Sequence, residues 1–368
     1  MRLQAFGRAL AAGLSIVTVA SAMLLIYGGP ATASAAPAAT GSCCTVRVNG
    51  PAVTLKVAAP GRSAKATFKG KVGQRITVVI TNPLSSDDGC QTLTLTGPNG
   101  PAGNSPQTQC GNATPVAIGP FDLTAPGTYT ASLKFDPTAT GHATLWVSAP
   151  VNVGTAGVNG PSTPMNITRV GQGVQRTFTG TVGQRITVVI TNPVSSDDGC
   201  QTLTLTGPNG PAGNSPQTQC GNGTPVAIGP FDLTAPGTYT VRLEFDPTAT
   251  GHATLWVSAP VTVGTVSING PAKPMNITRV GQGVQRTFHG THGQNVNVVI
   301  SNPVSSDDGC QTLTVTGPNG PVGNSPQTQC GNGTAVAVSG SLLKTGTYTV
   351  LFEVDPVATG HGSLRVSS

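Results

Sequence analysis

The segment Gly237–Phe245 reads GTYTVRLEF, in which Tyr239, Val241, Leu243 and Phe245 alternate with Thr240, Arg242 and Glu244. Successive side chains of a strand point to opposite faces, so this pattern predicts a strand with one apolar and one polar side. The same alternation recurs at Tyr129, Ala131, Leu133 and Phe135, and at Tyr348, Val350, Phe352 and Val354. RITVVITNP places Ile76, Val78 and Ile80 on one face; GHATLWVSAP turns Ala143, Leu145 and Val147 inward and leaves Thr144 and Trp146 outward. GPNG, APGT, DPTATG and NGP separate these runs as turns. No helical periodicity interrupts them. About seven or eight short strands per hundred residues predict an all-β fold, an antiparallel two-sheet β-sandwich of the jelly-roll or Ig-like kind.

The pattern repeats on a larger scale. SSDDGCQTLTLTGPNG runs from Ser85 to Gly100, returns unchanged at Ser195–Gly210, and recurs at Ser305–Gly320 with Val315 in place of Leu95. A period of 110 residues is too long for a solenoid and long enough for each copy to bury its own core. Three tandem sandwiches follow, at 46–150, 151–260 and 261–368. Between Gly73 and Cys110 the first two copies differ only at Leu84 and Val194, whereas the third carries the looser GQNVNVVISNP from Gly293.

Ahead of the repeats, Arg2 and Arg8 precede an apolar run from about Ala11 to Ile26 and the small residues ATASAAP. This predicts a cleaved export signal over 1–35, followed by a tail over 36–45. An uncleaved signal is the one route by which the chain would hold to a membrane. The 49 glycines and 31 prolines fit a turn-rich β protein, since disorder would require few β-branched residues and a high net charge. Six cysteines form pairs spaced by 20: Cys90 with Cys110, Cys200 with Cys220, and Cys310 with Cys330. In an exported chain that regularity predicts one local disulfide per unit, stapling the polar loop GPNGPAGNSPQTQ. Cys43 and Cys44 stand apart, and their spacing leaves open a bond to each other, to another chain, or none.

The order F-x-G-x-x-G-Q-x-[IV]-x-V (Phe68–Val78, Phe178–Val188, Phe288–Val298), then LTGPNG, GTYT and TGH, resembles the bacterial pre-peptidase C-terminal domain. Bacterial immunoglobulin-like repeats are the competing family. The resemblance implies non-catalytic jelly-roll-like sandwiches appended to secreted proteins for substrate or surface attachment. This chain departs from the usual arrangement in lacking a peptidase domain and in its cysteine-bridged loop.

Three features could carry chemistry. The pairs Asp87-Asp88, Asp197-Asp198 and Asp307-Asp308 lie in turns; joined by Asp136, Asp246 or Asp355 of the DP turns they would form a calcium site, and otherwise they cap local amides. Calcium is the only cofactor the sequence admits. The outward Trp146 and Trp256 would either stack on sugar rings or pack against a neighbouring unit. Removing Arg2 and Arg8 with the leader takes the net charge from +6 to +4, and the excess gathers near Lys65 and Lys69, which alternation places opposite Ala66 and Phe68. Such a patch would attract anionic wall polymer. It is too weakly basic, and too poor in aromatics, for nucleic acid. No nucleophile elbow, zinc helix motif or phosphate loop is present, which argues against an enzyme. The expectation is an extracellular or cell-surface adhesion module for a cell-wall polymer, polysaccharide or surface protein. The alternative is a spacer without a specific ligand.

Overall fold

The computed structural model describes residues 42–368. The export signal expected at 1–35 lies outside them. Every described element is a strand, and the strands form three repeated pairs of sheets. The first unit contains β1 (Ser42–Thr45), β2 (Val53–Val57), β3 (Ser63–Gly70), β4 (Arg75–Ser85), β5 (Cys90–Gly97), β6 (Gly100–Pro101), β7 (Gln107–Cys110), β8 (Val116–Asp122), β9 (Gly127–Phe135) and β10 (Gly141–Ser148). One sheet runs β1-β3-β9-β5-β6, with β7 also on β5; the other runs β2-β10-β4-β8. Pairing is antiparallel except for β1 on β3. The second and third units repeat this plan, with Val151–Thr155 and Val261–Thr265 taking the place of β1.

Between the sheets of each unit lies a separate apolar core. The alternation seen in the sequence builds it: Tyr129, Ala131, Leu133 and Phe135 of β9 are all buried, facing Ile76, Val78 and Ile80 of β4 and Leu145 and Val147 of β10. Phe68 stacks on Tyr129 with ring centroids 5.4 Å apart, and the same pair recurs as Phe178–Tyr239 and Phe288–Tyr348. The Tyr129 hydroxyl reaches out of the core to donate to the Ala125 carbonyl at 2.8 Å. Gly97 makes room for that ring, because a Cβ there would lie 2.4 Å from Tyr129 Cε1.

Two expectations change. Ser42–Thr45, assigned to the tail, is an edge strand of the first sandwich, with Thr45 beside Thr67 of β3. The cysteine loop is also more ordered than its polar composition implied. Gly100–Pro101 and Gln107–Cys110 turn back to pair with β5, placing Cys90 directly opposite Cys110 in the ladder. Backbone and amide groups hold what apolar contacts do not: Ser105 Oγ accepts from Leu95 N at 2.7 Å, Asn104 Oδ1 accepts from Gly119 N at 2.8 Å, and Gln91 Nε2, buried, donates to Thr114 O at 2.9 Å.

The disulfides Cys90–Cys110, Cys200–Cys220 and Cys310–Cys330 are formed, and such bonds belong to an oxidising environment. Replacing Cys90 and Cys110 together with Ser should lower the stability of the first unit by about 3 kcal/mol. In calorimetry this appears as one early transition while those of the other two units stay in place.

Candidate functional site

The acidic turn comes first. Asp87 Oδ1 accepts from the Ser85 hydroxyl and from Gly89 N, Asp88 Oδ1 accepts from Asn112 N at 2.7 Å, and Asp136 Oδ2 accepts from Cys90 N at 2.8 Å. Asp197, Asp198 and Asp246 repeat these bonds, as do Asp307, Asp308 and Asp355. The Ser85 hydroxyl, followed by the Gly89 amide, holds the Asp87 carboxyl below its ordinary range. That contribution is complete above the usual carboxylate pKa and is lost as pH falls through the depressed value. Each acid is thus committed to the backbone that shapes the cysteine hairpin. Among the described residues no three His, Cys, Asp or Glu side chains gather to hold a metal. The turn is built as an amide cap, and the calcium expectation does not match its geometry.

The tryptophans do leave the core, but they are not free platforms. Trp146 projects from the outer face of the four-stranded sheet and donates through Nε1 to Thr81 Oγ1 at 3.0 Å. Arg169 of the second unit lies over its ring, 4.7 Å from the centroid. The Arg169 Nε also donates to Ser148 Oγ at 3.0 Å, and Ser148 Oγ donates to Val170 O at 2.8 Å. Burial lowers the Arg169 pKa, as expected for a guanidinium taken from water onto an indole. Trp256, Arg279, Ser258 and Val280 reproduce the arrangement between the second and third units. Gly171, at φ +68°, brings the loop down onto the first unit, where a Cβ would lie 3.0 Å from both Thr77 Cβ and Val79 Cγ2.

A second contact locks each junction. Arg75 of β4 donates through Nε and Nη2 to the two oxygens of Glu244, at 2.7 and 3.0 Å, while Asp122 stands 3.6 Å from its Nη1. Burial opposes the Arg75 charge, but the Glu244 hydrogen bonds and charge prevail and raise its pKa. Arg185 meets Glu353 in the same way, at 2.8 and 2.9 Å, and the Glu353 hydrogen bond leads the rise in its pKa. Alternation had assigned Glu244 to a polar outer face, and it does lie there. It is nevertheless only 8% exposed because the preceding unit covers it.

Several differences between the copies fall where no neighbouring copy is packed. On the first unit, Ala59 and Lys134 replace the Arg169 and Glu244 of the second; on the third, Asn295, Asn297 and Arg365 replace Arg185, Thr187 and Trp256. Thr77, Val79, Thr187 and Val189 are buried, whereas Asn297 is exposed and Val299 is half-exposed. The looser third repeat is therefore a junction surface rewritten for water.

The outer face of each six-stranded sheet carries a row of hydroxyls. Thr45, Thr67, Thr130 and Thr96 stand side by side in cross-strand register. Thr155, Thr177, Thr240 and Thr206 form the second row, and Thr265, Thr287, Thr349 and Thr316 the third. Strand spacing sets neighbours in a row about 4.8 Å apart. Lys65 and Lys69 border the first row. Lys69 is exposed and its Nζ donates to Thr128 Oγ1 at 2.6 Å. Lys65 is half-buried between Ser42 of β1 and Ser132 of β9, so the cationic patch is smaller than the sequence implied.

No protein family and no curated protein matches the chain. Among solved structures it is similar to the pre-peptidase C-terminal domain of collagenase from Bacillus anthracis, at 12% identity and a TM-score of 0.23, over 29% of this chain and 95% of that domain. It is also similar to the CUB1-EGF-CUB2 domain of human MASP-1/3, at 10% identity and a TM-score of 0.20, over 56% and 98% of the two chains. At these scores neither likeness carries weight.

Arg185→Ala leaves the buried Glu353 carboxylate, beside Leu351, without its arginine partner and should weaken the second junction by about 3 kcal/mol. Small-angle scattering should then show a longer, more bent chain, with each unit's own unfolding transition retained. EDTA should leave the melting temperature of the intact protein unmoved, because the turn acids are satisfied by amides. A fall of several degrees would restore the calcium reading.

Proposed function

We propose that this protein is a non-catalytic attachment array that works outside the cell, as a secreted or cell-surface protein. Its partner is a cell-wall polymer, a polysaccharide or a surface protein. The observation that carries this reading is the register-aligned threonine row, present in triplicate on outward sheet faces. Hydroxyls at strand spacing offer paired donors and acceptors to a hydroxylated surface. Copies joined in one chain add weak contacts through effective concentration. The resemblance to pre-peptidase C-terminal domains and the three disulfides support an exported, accessory role.

One observation favours a second reading, a stiff spacer without a ligand. Both tryptophans, the best platforms for a sugar ring, are consumed in holding one unit to the next.

Retention of the full chain on isolated cell walls and insoluble polysaccharide separates the two. Replacing Thr45, Thr96, Thr265 and Thr316 with Val removes hydroxyls at both ends of the array without creating cavities. Retention should fall on the order of 100-fold through lost avidity. Equal retention of the folded variant, or none by the native chain, would favour the spacer.

A further inference from the structure

The two junctions share their indole–guanidinium and arginine–glutamate contacts but differ at one position of the outer sheet face. In the first, Arg242 extends from the central strand of the second unit's outer face, in register with Gln175 on one side and Thr204 on the other. The corresponding residue of the third unit is Leu351, and that of the first is Ser132. Because the second junction forms its Arg185–Glu353 pair with Leu351 in this place, Arg242 is surplus to what a junction needs.

Arg242 is also poorly answered by its surroundings. Both oxygens of Glu244 are taken by Arg75, which has Asp122 beside it as well. Glu244 Oε2 lies 3.5 Å from Arg242 Nε, and that buried nitrogen finds no hydrogen-bond partner. Burial lowers the Arg242 pKa; the Glu244 charge works against that shift, and the nearby Arg75 charge adds to it. The guanidinium lines a groove of about 700 Å³ between the two units, whose walls also present Asn49, Gln74, Gln175 and Thr206, with Asp122 at the groove held beside Arg75. That volume falls in the range of small-ligand sites. The walls supply amide and hydroxyl groups suited to sugar hydroxyls, and the floor supplies a cation whose planar donors match a carboxylate.

We propose that the groove at the first junction binds an acidic saccharide, with Arg242 receiving the carboxylate of a uronate residue and the surrounding amides and Thr206 receiving ring hydroxyls. The second junction, with Leu351, lacks this specificity. The proposal shares with the attachment reading only its choice of a saccharide partner, and it fails separately, since it concerns a soluble oligomer in a groove.

The test is calorimetric titration of the full three-unit chain with trigalacturonate, its methyl ester and hexaglutamate. Trigalacturonate should bind, and the ester and the peptide should bind at least tenfold more weakly. Arg242→Leu places at this site the residue the third unit already tolerates, and it should weaken trigalacturonate binding about thirtyfold with the melting profile unchanged. No binding by the native chain, or equal binding by Arg242→Leu or by the ester, would overturn the site. Tighter binding of hexaglutamate would overturn the saccharide assignment in favour of an acidic peptide. Thr45, Thr96, Thr265 and Thr316 do not line this groove, so their Val variants should leave trigalacturonate binding intact whatever they do to wall retention.

Discussion

A strand has two faces, and a sandwich can bury only one of them in its own core. What happens to the other face governs the rest of this molecule. Within each unit the inner face is settled by Tyr, Phe, Leu, Ile and Val, closed by the stacked Phe68–Tyr129 pair and its copies. The outer faces divide. Part of the four-stranded sheet of the first and of the second unit is covered by the following unit, through an indole under a guanidinium and a bidentate ion pair. Much of each six-stranded sheet is left to threonine. Stability inside a unit and stiffness between units therefore come from opposite sides of the same strands.

The division explains what could and could not be read from the sequence. Period-two alternation is a local signal, and it located β4, β9 and β10 and their inner faces. It could not distinguish an outward residue in water from one under a neighbouring domain. Glu244, Val79 and Trp146 are all outward by alternation, and all are covered in whole or part by another unit or its side chains. The signal that would have found the junctions was the comparison of copies. Charge or polarity changes at 59, 134, 295, 297 and 365 mark the faces without a packed neighbour, where otherwise near-identical repeats diverge.

The acidic turn taught a different lesson. Two adjacent aspartates with a third in a nearby DP turn fit a metal-site composition, and the fold does bring them around one backbone segment. One oxygen each of Asp87, Asp88 and Asp136 is instead taken by a backbone amide. Those amides belong to the cysteine hairpin, so the acids and the disulfide act on one element. The polar loop between the cysteines showed no apolar anchor because it needs none; its order comes from ladder pairing and from Asn104, Ser105 and Gln91.

The junctions join the tail surface of one sandwich to the head surface of the next, a heterologous contact. Such a contact, once copied onto both free ends, would let separate molecules string together into open-ended fibres. Here an approaching molecule would bring Lys134 where a carboxylate is wanted, opposite Asn295, and Ala59 where a guanidinium is wanted, opposite Arg365. The surface that joins one unit to the next thus lacks, on the outward sides of the first and third units, the paired groups from which both junctions are made.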